Sequence, residues 1–252
     1  MMARVLQLPR AQAWKLAGEN GYHDLLFQME WLALADRSLP GLLADAANVR
    51  TEDDDALRWI SRQRGAVLAT LHMGPYSLAL AWLLHRYFRD RDVIIVKTQT
   101  ADDDESRAMN RLDQLGVRVA LMAPTEPAEF HALLKRVRMG AILIALVDLP
   151  ESYGRAVDAD LLWTPARIAA GAVDIAALCQ VPLLLFRAEA RGTGDQVTVA
   201  DLLEVPSRQG ERDRATGKVA SFITNSVRGC PEQWHMWQRF DEFVTARQRC
   251  AA

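Results

Sequence analysis

The spacing of apolar positions changes along the chain near residue 65. Before it, apolar residues recur at helical spacing over residues 11–35 and 53–63. The acidic run at residues 52–55 suits the start of the second helix, because the helix dipole favours carboxylates at its N-terminus. The first 64 residues are therefore predicted to form a helical part.

After residue 65, short apolar runs typical of strands alternate with helical stretches. The predicted strands are residues 66–71, 93–97, 117–122, 142–147, 181–186 and 196–203. The predicted helices are residues 78–87, 103–115, 127–138, 165–179 and 212–227, and a last one after Pro231. This alternation predicts an α/β fold with a mostly parallel central sheet and helices on both faces. Residues 191–195 are typical of a tight hairpin, so the last strand is predicted to return antiparallel.

The sequence contains no repeat, low-complexity tract or linker that would divide the chain. Of its 252 residues, 50% are hydrophobic and 25% charged, which is enough for one large core. We predict one domain over residues 1–252, made of a helical part at 1–64 and an α/β core at 65–252. The net charge of −2 argues against nucleic acid as a partner. Cys179, Cys230 and Cys250 form no C-x-x-C pair, which is typical of a reduced cytosolic chain without a metal site.

Apolar stretches in the chain are short. The longest candidate, residues 141–147, falls far below the roughly 18 uncharged residues that a spanning helix needs. We therefore expect a soluble protein or one that contacts a membrane peripherally. The first helices carry a cluster of apolar residues that either packs on the domain or contacts a membrane or a partner: Trp14, Leu25, Leu26, Phe27, Met29, Trp31 and Leu32.

His72 ends the first predicted strand and is followed by Gly74 and Pro75. Open α/β sheets bind their ligands at the carboxyl ends of strands, so an imidazole at this point is a candidate general base. Gly74 allows a sharp turn, and Ser77 would lie about one helical turn further on, on a face that can approach the imidazole. The alternative is that His72 only caps the strand.

Two carboxylates follow the strand predicted at residues 142–147. In a parallel sheet, Asp148 and Glu151 would share the rim with His72 and favour the charged form of its imidazole. Arg155 in the same loop contacts either a phosphate or a neighbouring acid. The simpler alternative is a polar loop that closes the strand.

A third candidate is the loop before the helix predicted at residues 165–179. Thr164 and Pro165 are typical of an N-cap and first-turn pair, so free backbone N–H groups and Arg167 could bind an anion or a developing oxyanion. Gly171 belongs to a run of small residues that lets the helix approach the sheet closely. Packing alone would also explain this composition.

Residues 231–240, PEQWHMWQRF, resemble the closing motif of the bacterial lipid A late acyltransferases, the lauroyl and myristoyl transferases of the lysophospholipid acyltransferase superfamily. The order of the other blocks agrees: a strand ending in His72, a strand ending in Asp148, a segment at residues 165–171 and then another apolar strand. The resemblance covers residues 65–243 and implies a glycerolipid-acyltransferase-like fold.

By this resemblance, His72 is the general base that deprotonates an acceptor hydroxyl or amine, which attacks a fatty acyl thioester directly. The donor would be carried by acyl carrier protein or coenzyme A, and no cofactor is implied. The sequence shows no N-terminal anchor like that of the lipid A enzymes, so a small-molecule, carrier-bound or other lipid acceptor is expected instead of lipid A. The protein would be cytoplasmic, either free or peripheral on the inner membrane.

The sequence departs from the family pattern at one position. The pattern is His, four residues and then an acid, and Ser77 stands at the acid position. Three outcomes follow. Asp148 or Glu151 supplies the carboxylate and keeps acyl transfer; or Ser77 holds the imidazole or becomes a nucleophile, as in a thioesterase or hydrolase; or the site is inactive and the protein is an acyl-chain or carrier-protein binding scaffold.

Overall fold

The structure is a computed structural model that describes residues 1–97, 107, 111, 116–192 and 194–244. Its helices are α1 Met2–Val5, α2 Arg10–Asp36, α3 Leu39–Ala46, α4 Asp54–Ser61, α5 Tyr76–Tyr87, α6 Pro127–Met139, α7 Gly171–Cys179, α8 Gln209–Gly229 and α9 Phe240–Phe243. Its strands are β1 Val49–Thr51, β2 Ala66–Thr70, β3 Asp92–Val96, β4 Arg118–Met122, β5 Ile142–Leu146, β6 Ala156–Leu161, β7 Thr164–Ala169, β8 Leu183–Arg191 and β9 Gly194–Leu203. Apart from residues 107 and 111, the helix predicted at 103–115 lies outside the described residues.

The central sheet contains seven of the described strands, in the order β1-β9-β8-β2-β5-β3-β4. The five strands from β8 to β4 are parallel to one another, β9 runs antiparallel to β8, and β1 runs parallel to β9. The predicted α/β fold with a mostly parallel sheet is confirmed, as is the antiparallel return of the last strand.

Helices cover both faces of this sheet, which is why β2 is buried at all five of its positions. Val67 and Ala69 belong to a core shared with α6, α7 and α8, whereas Ala66 and Leu68 belong to a core shared with α4 and α5. Because β2 and β5 are parallel neighbours, their carboxyl ends lie side by side. Residues that follow these two strands therefore meet at one edge of the sheet.

The prediction of a helix at residues 165–179 is wrong for its first third, which is not helical. Thr164–Ala169 forms β7, which pairs with β6 in a two-stranded antiparallel hairpin, and α7 begins at Gly171. Leu162 and Trp163 make the two-residue turn, with φ angles of +51° and +59°. Such turns usually carry Asn or Gly, so these residue types did not indicate a hairpin. Thr164 is consequently a strand residue and not an N-cap.

The segment after Pro231 also differs from the prediction. Instead of one helix it forms two 3₁₀ turns, Pro231–Gln233 and Trp237–Arg239, followed by the short α9. Trp234 and Phe240 are fully buried in the core. The path of this segment is therefore set by core packing and not by helical periodicity. Strand β1 and helix α3 were not predicted.

Helices α2 and α4 confirm the helical spacing predicted for residues 11–35 and 53–63. Helix α2 is 27 residues long and packs on α5. Within the part of the chain that the structure describes, no helix combines the length and the apolar character needed to cross a bilayer.

Candidate active site

His72 lies just beyond the carboxyl end of β2, where the chain turns sharply towards α5. The turn depends on Gly74, whose φ is +57° and where a Cβ would lie only 2.6 Å from the Ala188 carbonyl oxygen. The side chain of His72 is 22% exposed. The imidazole is thus held by the fold and still accessible.

Asp148 follows β5 and lies directly beside His72. Its carboxylate is fully buried, and Oδ1 lies 2.9 Å from His72 Nδ1. The backbone N–H of His72 donates to Oδ2 at 3.0 Å, and the indole Nε1 of Trp234 donates to the same oxygen at 2.8 Å. Three donors therefore hold this buried carboxylate in one orientation.

These hydrogen bonds decide which nitrogen of His72 can act as a base. An ionised Asp148 accepts from Nδ1–H, so the neutral imidazole carries its lone pair on Nε2. No hydrogen bond to Nε2 occurs within the described part of the chain. The arrangement can take a proton on Nε2 and stabilise the resulting imidazolium through Asp148.

One cavity beside His72, here called the α5 cavity, is mainly apolar and has a volume of about 340 Å³. It crosses the face of the sheet from His72 at β2, over Ile144 of β5 and Ile95 of β3, to Leu121 of β4. Helices α5 and α2 form its other walls with Tyr76, Ser77, Leu80, Leu84, Phe27, Trp31 and Leu34. Its shape and lining suit a flexible hydrocarbon chain.

A second cavity, here called the Arg239 cavity, has a volume of about 280 Å³ and also reaches His72. Lys97 lines both cavities. Arg239 donates to the Tyr153 hydroxyl at 2.8 Å and forms an ion pair with Glu242 at 2.6 Å, and these contacts raise its pKa. Two cationic side chains thus face the space next to the imidazole.

The family model described as bacterial lipid A biosynthesis acyltransferase matches residues 46–240. The chain belongs to this family. The matched residues make up more than half of the chain and include His72, Asp148 and Trp234. The resemblance found in the sequence is confirmed.

Two relatives are named phosphatidylinositol mannoside acyltransferase and come from two strains of Mycobacterium tuberculosis, CDC 1551 / Oshkosh and ATCC 25618 / H37Rv. Each is 26% identical over 178 residues, which are 69% of this chain and 54% of the relative. The chain therefore matches about half the length of these relatives.

The structure brings some of the predicted site residues together. Asp148 contacts His72, as predicted for neighbouring strand ends, and Gly171 lines the Arg239 cavity. Gly74 forms the turn after His72 and lines a third cavity of about 680 Å³, here called the Glu30 cavity. Glu151 does not meet His72; it lies 2.6 Å from Arg167.

Ser77 is buried but does not bond to His72. Its hydroxyl donates to Glu30 Oε2 at 2.6 Å, and it lines the α5 cavity. The geometry therefore gives no support to Ser77 as the group that holds the imidazole or as a nucleophile that His72 activates. The carboxylate beside His72 is Asp148.

The two predicted anion-binding arginines are engaged with acids. Arg155 lies 2.7 Å from Asp174 and 2.9 Å from Asp213, and these contacts raise its pKa. Arg167 pairs with Glu151 and, at 3.2 Å, with Asp158. Neither arginine lines the two cavities at His72, and the helix N-terminus predicted beside Arg167 is a strand. The predicted oxyanion site therefore lacks the helix N-terminus on which it was based, and a substrate role for Arg167 stays a prediction.

Several site residues were not predicted individually. Trp234 lies in the closing motif, but its bond to Asp148 joins residues 86 positions apart. Lys97 ends the strand predicted at residues 93–97, so its position at a strand end was a usable signal. Tyr76 contacts the His72 ring edge-to-face at 5.8 Å, and nothing in the sequence pattern indicates this contact.

A second His–Asp pair lies next to the first. His235 Nδ1 lies 2.6 Å from Asp24 Oδ1, and Nε2 donates to the Gly74 carbonyl at 3.1 Å. The backbone N–H of His235 donates to the His72 carbonyl at 2.8 Å. Asn20, one turn before Asp24 on α2, donates to the Trp234 carbonyl at 2.9 Å. This pair anchors the closing segment to α2 and to the turn after His72.

Proposed function

We propose that the protein is an acyltransferase that moves a fatty acyl group from a thioester to a hydroxyl or amine, with His72 as the general base. The observation that carries the proposal is the buried Asp148 bound to His72 Nδ1 at the mouth of an apolar cavity. Membership of the acyltransferase family supports the reaction class.

In the proposed reaction, His72 Nε2 takes the proton of the acceptor hydroxyl as its oxygen attacks the thioester carbonyl carbon. The new C–O bond gives a tetrahedral oxyanion, and its collapse breaks the C–S bond. The departing thiolate receives the proton from the imidazolium, so the imidazole is regenerated. Asp148 keeps Nδ1 protonated and stabilises the transient positive charge.

The two cavities give each substrate a place in this scheme. The α5 cavity would bind the acyl chain, because its lining is mainly apolar and it begins at His72. The Arg239 cavity would bind polar groups of the acceptor or of the carrier, because Lys97 and Arg239 line it. Acyl carrier protein or coenzyme A is the proposed carrier of the thioester.

The proposed acceptor is a lipid. The family is named for lipid A biosynthesis, and the two relatives are named for acylation of phosphatidylinositol mannoside. These names support a lipid that carries sugar hydroxyls or amines as the class of acceptor to test first.

We propose peripheral contact with a membrane on its cytoplasmic side, and an exposed apolar stripe on α2 supports such a contact. The stripe contains Trp14, Tyr22, Leu25, Met29 and Leu32, which are 51–78% exposed and lie on one side of the helix. Phe27, Trp31 and Leu34 of the same helix line the α5 cavity. The stripe and these residues lie on opposite sides of α2, so a lipid surface against the stripe would be separated from the proposed chain site by the width of this helix.

The test is transfer by the purified full chain from acyl carrier protein and coenzyme A thioesters to lipid acceptors. His72→Ala should reduce the rate by roughly 10³-fold or more, whereas His131→Ala, an exposed histidine on α6, should leave it unchanged. Equal rates for wild type and His72→Ala would reject the assigned base. Saturable thioester binding without turnover would support the binding-scaffold alternative instead.

A further inference from the structure

The first turn of α5 is capped from another helix. Its N-cap is Pro75, which has no side-chain acceptor for the free N–H groups of that turn. Glu30 of α2 fills this role: it accepts from the Ser77 hydroxyl at 2.6 Å and also from the backbone N–H of Leu78. The carboxylate therefore joins α2 to α5 at the start of α5.

This junction borders the α5 cavity. Ser77 lines the cavity, and the residue before it, Tyr76, contacts the imidazole. Tyr76 begins α5; its ring meets the His72 ring edge-to-face and stacks on Phe27 of α2, 4.6 Å between centroids. Phe27 and Trp31 lie next to Glu30 on α2 and line the cavity. A shift of α2 relative to α5 would therefore move one wall of the proposed chain site.

We propose that Glu30 is a positioning residue for the acyl donor: by capping α5 it holds the α2 wall against the α5 cavity and so favours long acyl chains. The inference rests on the proposed function, since it assumes that this cavity binds the chain. A short chain that stays near His72 would contact less of the α2 wall, which also includes Trp31 and Leu34, and would depend less on Glu30.

The surroundings of Glu30 make the cap sensitive to pH. Burial raises its pKa to about 7, the bond from Ser77 opposes this rise, and the nearby Asp195 adds to it. The raised pKa means that the folded junction favours the protonated carboxyl group, because burial costs the ionised form more than its hydrogen bond and the helix dipole return. Affinity for a long-chain donor should therefore fall as pH rises through about 7. The other charged or titratable groups that line the Glu30 cavity and the α5 cavity are Asp45, Arg37, His23, His72, Tyr76 and Lys97.

The experiment measures KM and kcat for a C16 and a C4 acyl-coenzyme A with wild type, Glu30→Ala, Glu30→Gln and Ser77→Ala. Glu30→Ala should raise KM for the C16 donor by roughly tenfold, the size expected for loss of a helix cap, and KM for the C4 donor by less than about twofold. Glu30→Gln should show a smaller increase and remove the change of KM near pH 7. Glu30→Asp should restore part of the C16 affinity, and Glu19→Gln, an exposed site on α2, should match wild type.

Equal increases of KM for both donors, or a loss confined to kcat, would overturn the inference, because a general defect does not depend on chain length. If Glu30→Ala does not fold, Glu30→Gln and Ser77→Ala test the inference instead, by the ratio of the KM increase for the C16 donor to that for the C4 donor. If wild type binds the donors without turnover, the proposed function is rejected, and calorimetric affinities give the ratio instead. If wild type does not bind the C16 donor, both the function and the inference are rejected.

Discussion

Two His–Asp pairs lie side by side in this protein, and only one has the geometry of a base. In both pairs Nδ1 faces a carboxylate, at 2.9 Å for His72 and at 2.6 Å for His235. The His235 side chain is 10% exposed and its Nε2 donates to a backbone carbonyl, whereas His72 is 22% exposed and borders two cavities. The partner of the second ring nitrogen, and not the His–Asp bond, therefore separates a candidate base from a structural histidine.

Replacing each aspartate by asparagine should give the largest difference between the two pairs. Asp148→Asn removes the charge that holds Nδ1–H and stabilises the imidazolium, so kcat should fall by roughly 10³-fold. Asp24→Asn should change kcat by less than about fivefold, because Nε2 of His235 is already bonded to the Gly74 carbonyl. Steady-state rates on one donor series test both variants. Similar losses in the two variants would show that His235 takes part in the chemistry.

Glu30 differs from the aspartates of both pairs, because its carboxyl group has a hydroxyl as its partner and no imidazole. In the folded chain the carboxyl group of Glu30 keeps its proton up to about pH 7, whereas the ordinary pKa of a glutamate is 4.5. Between these values the folded state binds more protons, so the free energy of unfolding falls as pH rises. Relative to Glu30→Gln, wild type should lose up to roughly 3 kcal/mol between pH 4.5 and 7. Urea unfolding at several pH values measures this, and a difference that does not vary with pH would contradict it.

The structural role of His235 gives a third prediction. His235→Gln cannot keep both hydrogen bonds of the imidazole, so the free energy of unfolding should fall by about 1–3 kcal/mol. The rate at saturating donor should change by less than about fivefold. Denaturant unfolding and kcat, measured on the same preparation, test whether the substitution lowers the free energy of unfolding without a comparable loss of rate. A large loss of kcat with unchanged stability would reverse the roles assigned to the pairs.

Trp234→Phe should have a much smaller effect on the reaction than Asp148→Asn. It keeps a large buried ring and removes one of the donors to Asp148 Oδ2. Loss of one hydrogen bond to a charged group is worth about 1.5 kcal/mol, so kcat should fall roughly tenfold. Trp237→Phe is the matched control, because Trp237 Nε1 donates to the Pro231 carbonyl and not to Asp148. Equal rate losses in both variants would indicate a packing effect.

The sequence predicted the elements whose pattern is local. Buried parallel strands are continuous apolar runs, so β2 and β5 were recognised, and parallel strands bring His72 and Asp148 to one edge. The β6–β7 hairpin was missed because Leu162 and Trp163 occupy turn positions that usually carry Asn or Gly. The strand periodicity there was hidden by Thr164 and Pro165, which are typical of a helix start.

The contacts that complete the site could not be predicted, because they join distant parts of the chain. Glu30 and Ser77 are 47 positions apart, and His235 and Asp24 are 211 apart. No spacing rule relates such residues. In the sequence, Ser77 stands where the family pattern has an acid. In the structure, its hydroxyl donates to the carboxylate of Glu30 on another helix.

The pairing of the closing segment with the turn after His72 also has a consequence for biosynthesis. Met73 forms an isolated β-bridge with Trp234, and the Gly74 N–H donates to the Gln233 carbonyl at 2.9 Å. These partners are far apart in the chain: His235 and Gly74, for example, are separated by 161 positions. On the ribosome, the turn that carries His72 therefore lacks these main-chain partners until nearly all of the described chain has been made. A nascent chain would therefore contain all the described strands of the central sheet before it holds a finished imidazole site, which needs the closing segment that begins at Pro231.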